Sequence, residues 1–227
     1  MSDETRRPGT LAQTHGQKPG LPRGSSGLPR DDVAEAQRER LLRAVIAAAA
    51  EEGYAAVTVA GIVRRARVSR SAFYDHFADK EACFLAATGE ACVVMFERIA
   101  TATQALGRGE PALDRARAAL RAYFQFLADE PEFARCLIIE AYAAGPRSLA
   151  GIVAAQEQFA DNMRRWHGRA RRANPDWPAV PREVHDALVG AIHQLVVGLV
   201  REGRTADVPG LEDITFRLHL AVYLGWH

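Results

Sequence analysis

The sequence predicts an all-α chain, on three observations. Beyond residue 30, Ala, Leu, Arg and Glu dominate the 227-residue chain, a composition rich in good helix formers. No stretch sustains the apolar–polar alternation of a half-buried strand. Residues that open helices and the Gly or Pro residues that close them punctuate the chain throughout.

Residues 1–30 come first and read as a disordered basic tail. Pro8, Gly9, Gly16, Pro19, Gly20, Pro22, Gly24, Gly27 and Pro29 punctuate a segment with few apolar residues, too few to offset the entropy of ordering it. Arg6, Arg7, Lys18, Arg23 and Arg30 face only Asp3 and Glu4, which fits either a solvated extension or an arm that clasps DNA. Asp31 and Asp32 then open a helix running to Glu52, with Gly53 as its stop and Leu41, Leu42, Val45, Ile46 and Ala49 as its apolar stripe. Thr58 opens a short helix over 59–66. The turn Arg67-Val68-Ser69 leads to another over 70–77. Asp79 caps a long helix from Lys80 to about Leu106, stopped by Gly107-Arg108-Gly109-Glu110-Pro111. Further helices are expected near 111–129, 131–145, 148–173, 182–204 and 210–225, with Pro131, Gly145-Pro146 and segment 174–178 between them. The total is about nine helices. The expected organisation is a tail (1–30), a three-helix unit (31–80) and a larger helical domain (81–227) sharing the long fourth helix.

Two short helices joined by a three-residue turn make a helix-turn-helix unit. Ile62, Val63, Ala66, Val68, Phe73 and Phe77 are its apolar positions, leaving Arg70, Ser71, Tyr74, Asp75 and His76 outward on the second short helix. Such a face suits a major groove, where Arg grips guanine bidentately and hydroxyls reach bases or phosphates.

Composition narrows the alternatives. The longest apolar runs, 44–50 and 195–200, fall short of the roughly 20 residues a bilayer-spanning helix needs, and the N-terminus lacks the apolar region of a signal peptide. Cys83 and Cys92 sit about 180° apart on one predicted helix, and three cysteines make no disulfide framework; a reduced, cytoplasmic chain without membrane contact is expected. Enzyme motifs are absent: no phosphate-binding or dinucleotide glycine loop, no Gly-x-Ser-x-Gly, no His-Glu-x-x-His, no Cys-x-x-Cys. No cofactor or metal is called for. The formal charge of +1 hides its distribution: residues 31–80 balance eight basic against eight acidic, while 81–227 hold 16 against 18. Within 58–80, Arg64, Arg65, Arg67, Arg70 and Lys80 outnumber Asp75 and Asp79.

Residues 38–90 resemble the DNA-binding region of the tetracycline-repressor (TetR) family. The resemblance rests on Gly53-Tyr54, Thr58, Ile62 and Ala66, Val68-Ser69, then Phe73-Tyr74-Asp75-His76-Phe77 followed by Lys80-Glu81. It implies that Thr58 caps the second helix and touches phosphate. It further implies that Arg70 and Ser71 reach base edges beside the turn residue Ser69, and that Tyr74, His76 and Lys80 grip phosphates. Two positions depart from the family pattern. Arg67 stands where Gly is common, at a turn position that needs positive φ; either it takes the strain and gains a phosphate contact, or the turn is built differently. Ala49 stands where an aromatic is usual, so the small domain's core is expected to be thinner.

The last two helices read as a partner surface. Val184, Leu188, Ile192, Leu195, Val196 and Leu199 form one stripe; Leu211, Ile214, Leu218, Ala221 and Val222 form another, with further apolar residues off both. A helix apolar on more than one face is buried on more than one side, which points to a homodimer, as in TetR-like proteins. Between this surface and the reading helix, the resemblance implies an inducer pocket for an effector of unknown identity. Its candidate residues are Met95, Phe96, Ile99, Phe124, Phe126, Leu137, Glu140, Tyr142, Phe159, Met163, Trp166 and His193. Glu140 suits a cationic ligand if it faces that pocket, or is an exposed helix position. The basic run around Trp166 fits a base-stacking platform or a solvated helix end. Together the resemblance implies a ligand-responsive repressor on a palindromic operator in double-stranded DNA. A constitutive DNA-binding regulator, and a helical ligand-binding protein that has lost DNA binding, remain the alternatives.

Overall fold

The structure is a computed structural model that describes residues 30–107 and 110–226. The tail expected over 1–30, apart from the backbone of Arg30, lies outside the described residues, as do Arg108 and Gly109 of the expected stop. The described residues form nine α-helices and three short 3-10 turns, with no strand. By compactness the chain divides into Met1–Thr88 and Gly89–His227.

In the first unit, α1 (Arg30–Glu52) is followed by a 3-10 turn (Tyr54–Ala56), α2 (Val59–Ala66), α3 (Arg70–His76) and the start of α4 (Lys80–Gln104). The chain turns where local chemistry says it must. Gly53 takes φ 82° after α1, a conformation that costs glycine little. Leu41, Val45, Ile46, Ala49, Ile62, Phe73, Cys83 and Phe84 are fully enclosed, and Tyr54 packs on Phe84 with ring centroids 4.8 Å apart. The Cys83 thiol donates to the Leu41 carbonyl at 3.7 Å, and burial pushes its pKa up to about 12.

The second unit holds the rest of α4, then α5 (Ala112–Asp129), α6 (Pro131–Ile138), a 3-10 turn (Glu140–Ala143), α7 (Pro146–Ala173), α8 (Arg182–Arg201), a 3-10 turn (Thr205–Leu211) and α9 (Glu212–Leu224). Three sequence expectations change here. The helix expected over 131–145 breaks at Ile139, after which the Glu140 carboxylate pairs with the Arg135 guanidinium at 3.1 Å; Glu140 is buried rather than an exposed helix position. The helix expected to reach 204 ends at Arg201. Gly203 adopts φ 73° and the Arg204 N–H reaches back to the Leu199 carbonyl at 2.9 Å, the six-residue closure typical of a glycine stop. Finally, α8 has 20 residues, and an 18-residue window within it reaches a mean hydropathy of 1.3. By length and composition it is long and apolar enough to cross a membrane, contrary to the expectation drawn from unbroken apolar runs. His185, Asp186, His193 and Gln194 interrupt those runs without lowering the average below that level.

Two ion-pair groups fix helix ends in this unit. Arg98 on α4 pairs with Asp129 at 3.3 Å and Glu130 at 3.5 Å at the α5–α6 corner, and Glu130 is 1% exposed. Arg117 and Arg121 on α5 both hold Glu212 at 2.9 Å, and Arg117 reaches Asp213 at 2.7 Å, clasping the first turn of α9.

Candidate nucleic-acid interface

Side-chain caps fix both helices of the helix-turn-helix. The Thr58 hydroxyl accepts from the Gly61 N–H at 3.1 Å at the start of α2. The Ser69 hydroxyl accepts from the Ala72 N–H at 3.0 Å at the start of α3. Asp79 does the same for α4, accepting from Ala82 at 2.6 Å. Each satisfies an N–H that the first helical turn leaves without a partner. Between α2 and α3, Arg67 has φ 55° and ψ 43°, the left-handed conformation, and is the one non-glycine residue with positive φ among the described residues. Its N–H donates to Arg64 at 3.3 Å and the Val68 N–H donates to Val63 at 3.2 Å, the paired bonds of a Schellman stop. So the turn keeps the geometry a glycine would give, and Arg67 bears the strain.

Packing then decides which side of α3 is free. Phe73 is fully buried and Ala72 and Phe77 nearly so. Arg70, Ser71, Tyr74 and Asp75 are exposed, and His76 is half-buried beside Phe77, 6.1 Å between centroids. The Arg70 guanidinium lies over the Tyr74 ring at 5.7 Å and donates to its hydroxyl at 3.4 Å. Tyr74 in turn stands edge-on to Phe73 at 5.3 Å. The outward group is therefore Arg70, Ser71, Tyr74 and Asp75, seated on a buried ring.

Two basic residues sit differently from their sequence reading. Lys80 is turned inward: its ammonium donates to the carbonyls of Val57 at 2.9 Å, Tyr54 at 3.1 Å and Ala55 at 3.5 Å, and lies 4.5 Å from the Tyr54 ring centroid. An ammonium has three donors, so a phosphate at Lys80 has to displace a carbonyl. Arg65 is bound by both carboxylate oxygens of Glu51, with Glu52 at 3.8 Å. That hydrogen bonding holds the Glu51 carboxyl below its ordinary range. The local positive charge is thus carried outward by the exposed Arg64, Arg67 and Arg70.

Residues 41–87, from the buried half of α1 into α4, match the family model of bacterial regulatory proteins, tetR family. The N-terminal unit is thus similar to the N-terminal region of TetR-family regulators. Solved structures share the TetR fold over most of the chain. FadR from Bacillus halodurans, a fatty acid degradation regulator, aligns with a TM-score of 0.72 at 15% identity, over 81% of this chain and 94% of its own. FadR from Bacillus subtilis, solved in complex with stearoyl-CoA, gives 0.70 at 15% identity, over 83% and 98%. SmeT, the repressor of the Stenotrophomonas maltophilia multidrug efflux pump SmeDEF, gives 0.67 at 21%, over 84% and 92%. No curated protein matches the chain in sequence.

The residues expected to line a pocket fall into separate groups. Phe96 on α4 meets Phe159 on α7 at 4.9 Å, and Tyr123 joins them at 5.1 Å from Phe159 and 5.4 Å from the buried Phe124. Burial pushes the Tyr123 phenol above its ordinary range. Tyr142, exposed, shares a hydrogen bond with His193 Nε2 at 3.1 Å, and burial lowers the His193 pKa. Trp166 belongs to a third group, with Met163 packed against it; its indole N–H donates to the Ala112 carbonyl. A ring enclosed in this way is no base-stacking platform, and the arginines after it, Arg171 and Arg172, are the solvated end of α7. Met95 is buried, and Ile99 and Leu137 are half-buried.

Of the expected partner surface, Leu188, Ile192 and Val196 face the interior of their own unit. Leu195, Ile214 and Ala221 are exposed, and Leu199, Leu218 and Val222 are half-buried. Between α8 and α9 lies an apolar groove of about 600 Å³, lined by Val184, Ala187, Leu188, Ala191, Leu218 and Val222, with Pro181, Glu183 and Trp226 at its margins. Sequence reasoning missed the polar group behind this groove, His167, His185, His219 and Tyr223. Its members come from three helices and share no local spacing.

Proposed function

We propose that this TetR-family chain is a homodimeric repressor, released from a palindromic operator when a small molecule binds its C-terminal unit. The observation that carries the reading is the outward group on α3, Arg70, Ser71 and Tyr74, on a helix capped at Ser69 and seated on buried Phe73. In this reading Arg70 and Ser71 read base edges, while Thr58, Ser69, Arg67, Tyr74 and His76 contact the backbone beside them. Lys80 steadies the start of α2 and gives up a carbonyl if it takes a phosphate. The exposed apolar residues of α8 and α9 meet their copies across a two-fold axis, so two reading helices address successive major grooves.

Effector binding acts by population shift. A molecule that binds better to one setting of α4 favours that setting, and the two reading helices then no longer match the operator spacing. The apolar rings of Phe96, Tyr123 and Phe159 favour an apolar effector. FadR from Bacillus subtilis, bound to stearoyl-CoA, is the precedent among its structural relatives. The organisation is a basic tail over 1–30, a DNA-binding domain over 31–80 and an effector and dimerisation domain over 81–227, in a cytoplasmic protein without membrane contact.

One observation favours a second reading, a constitutive regulator: the expected pocket residues are dispersed, and Phe124 and Trp166 are packed into the core. A gel shift with the DNA upstream of the chain's own coding sequence, at two salt concentrations, tests the main reading. It predicts a salt-weakened specific complex that an apolar compound raising the melting temperature dissolves. A complex that survives every stabilising compound supports the constitutive reading, and no complex at either salt overturns DNA binding.

A further inference from the structure

Three histidines are buried among α7, α8 and α9 in positions that the regulatory reading leaves unused. His167 is 4% exposed, His185 2% and His219 5%, and the fully buried Tyr223 lies among them. His167 stacks on the Tyr223 ring at 4.3 Å and 21°. His185 Nδ1 shares a 2.8 Å hydrogen bond with the Tyr223 hydroxyl, and His219 donates from Nδ1 to the Thr215 carbonyl at 2.6 Å. His167 Nε2 is buried without a hydrogen-bond partner. Trp166 and Trp177 close the group, 6.5 Å and 6.1 Å from the His167 ring.

This group stands directly behind the groove. Val184, Leu218 and Val222 line the groove, and the next residue in the chain after each is His185, His219 or Tyr223. We infer that the three histidines form a proton-responsive site, whose charging on acidification loosens α8 and α9 from α7 and so weakens the self-association face. The inference rests on the homodimer proposed above.

The surrounding groups set the sign. From α7, Arg164 and Arg171 oppose a proton on His185 and His167; from α8, Asp186 favours one on His185; from α9, the Thr215 carbonyl favours one on His219. From α5 and the segment before α8, Ala112, Leu113, Ala116, Trp177 and Val180 pack against the hydrophobic cluster that contains Tyr223. Burial is the largest influence on all three and holds them neutral, His167 down to about 4. A histidine released to water titrates near 6.5. The closed arrangement therefore has its full stability above pH 6.5 and loses it between there and about 4. For His167 alone, opening becomes roughly tenfold easier between pH 7.5 and 5.5, and the lowered His185 and His219 add to it in the same direction.

Two measurements on the full chain test this. Sedimentation at pH 7.5, 6.5 and 5.5 should show the dimer dissociation constant rising at least tenfold. The Trp226→Phe variant, whose remaining tryptophans are Trp166 and Trp177, should show a fluorescence transition in the same range. His167→Phe should flatten the pH dependence about tenfold and His219→Gln should flatten it as well, and one folded variant suffices. A dimer and a fluorescence signal both unchanged down to pH 5.5 overturn the proton site. A chain monomeric at every pH overturns the homodimer reading instead, and the fluorescence transition alone then decides the site.

Discussion

Arg67 and Arg70 stand three residues apart in the same turn and helix start, and only one of them is placed at a cost. A non-glycine residue in the left-handed region bears roughly 1–2 kcal/mol of strain. Arg67→Gly relieves it but adds unfolded-state entropy, so the variant should be more stable by about 0.5–1 kcal/mol in urea unfolding. Operator affinity should fall in the same variant if Arg67 holds a phosphate. Arg70→Ala should cost roughly 1–3 kcal/mol of operator binding and relax preference at one base pair; unchanged selectivity would refute base reading. Tyr74→Ala should loosen the same preference by a smaller margin, because Arg70 leans on that ring. The outward Arg70 was legible in the sequence, since it follows from apolar spacing. The sequence leaves Arg67 two alternatives, and the structure decides for the left-handed one. The inward Lys80 was not. Its partners are carbonyls more than 20 residues earlier, which no local pattern encodes.

Helix starts were the most legible elements because their signals are local. Thr58, Ser69 and Asp79 each bond the N–H three residues on. Thr58→Ala and Ser69→Ala should each destabilise the first unit by about 1 kcal/mol, read from the urea midpoint. Other helix ends were less legible: α6 stops at Ile138, just ahead of the buried Glu140 that pairs with Arg135. The start of α9 depends on acids gripped by α5. Hydrogen bonds from Arg121 and Arg117 lower the Glu212 pKa. A depressed carboxyl lends stability above its ordinary value near 4.5 and loses it as pH falls through the folded-state value. Glu212→Gln should therefore lower the melting temperature at pH 7, by a margin that shrinks as the pH falls below 4.5, as calorimetry would read.

At the scale of the molecule, the all-α class was legible from composition and punctuation, and the TetR-type reading unit from one 23-residue stretch, 58–80. What the larger unit does was less so. Its apolar residues recur at helical spacing whether they fill a core, line a pocket or meet a partner, and burial alone separated Val196 from Leu195. The near-neutral total charge likewise gave no warning that Arg65 is spent on Glu51 while Arg64, Arg67 and Arg70 remain exposed. The central claim is that α3 reads a specific DNA sequence. A binding selection from fragmented genomic DNA, run in parallel with the native chain and Arg70→Ala, tests it most directly. The native chain should enrich a two-fold symmetric site, and the variant should blur it at one position per half-site. Enrichment of no sequence by the native chain, or of the identical site by both proteins, would contradict it.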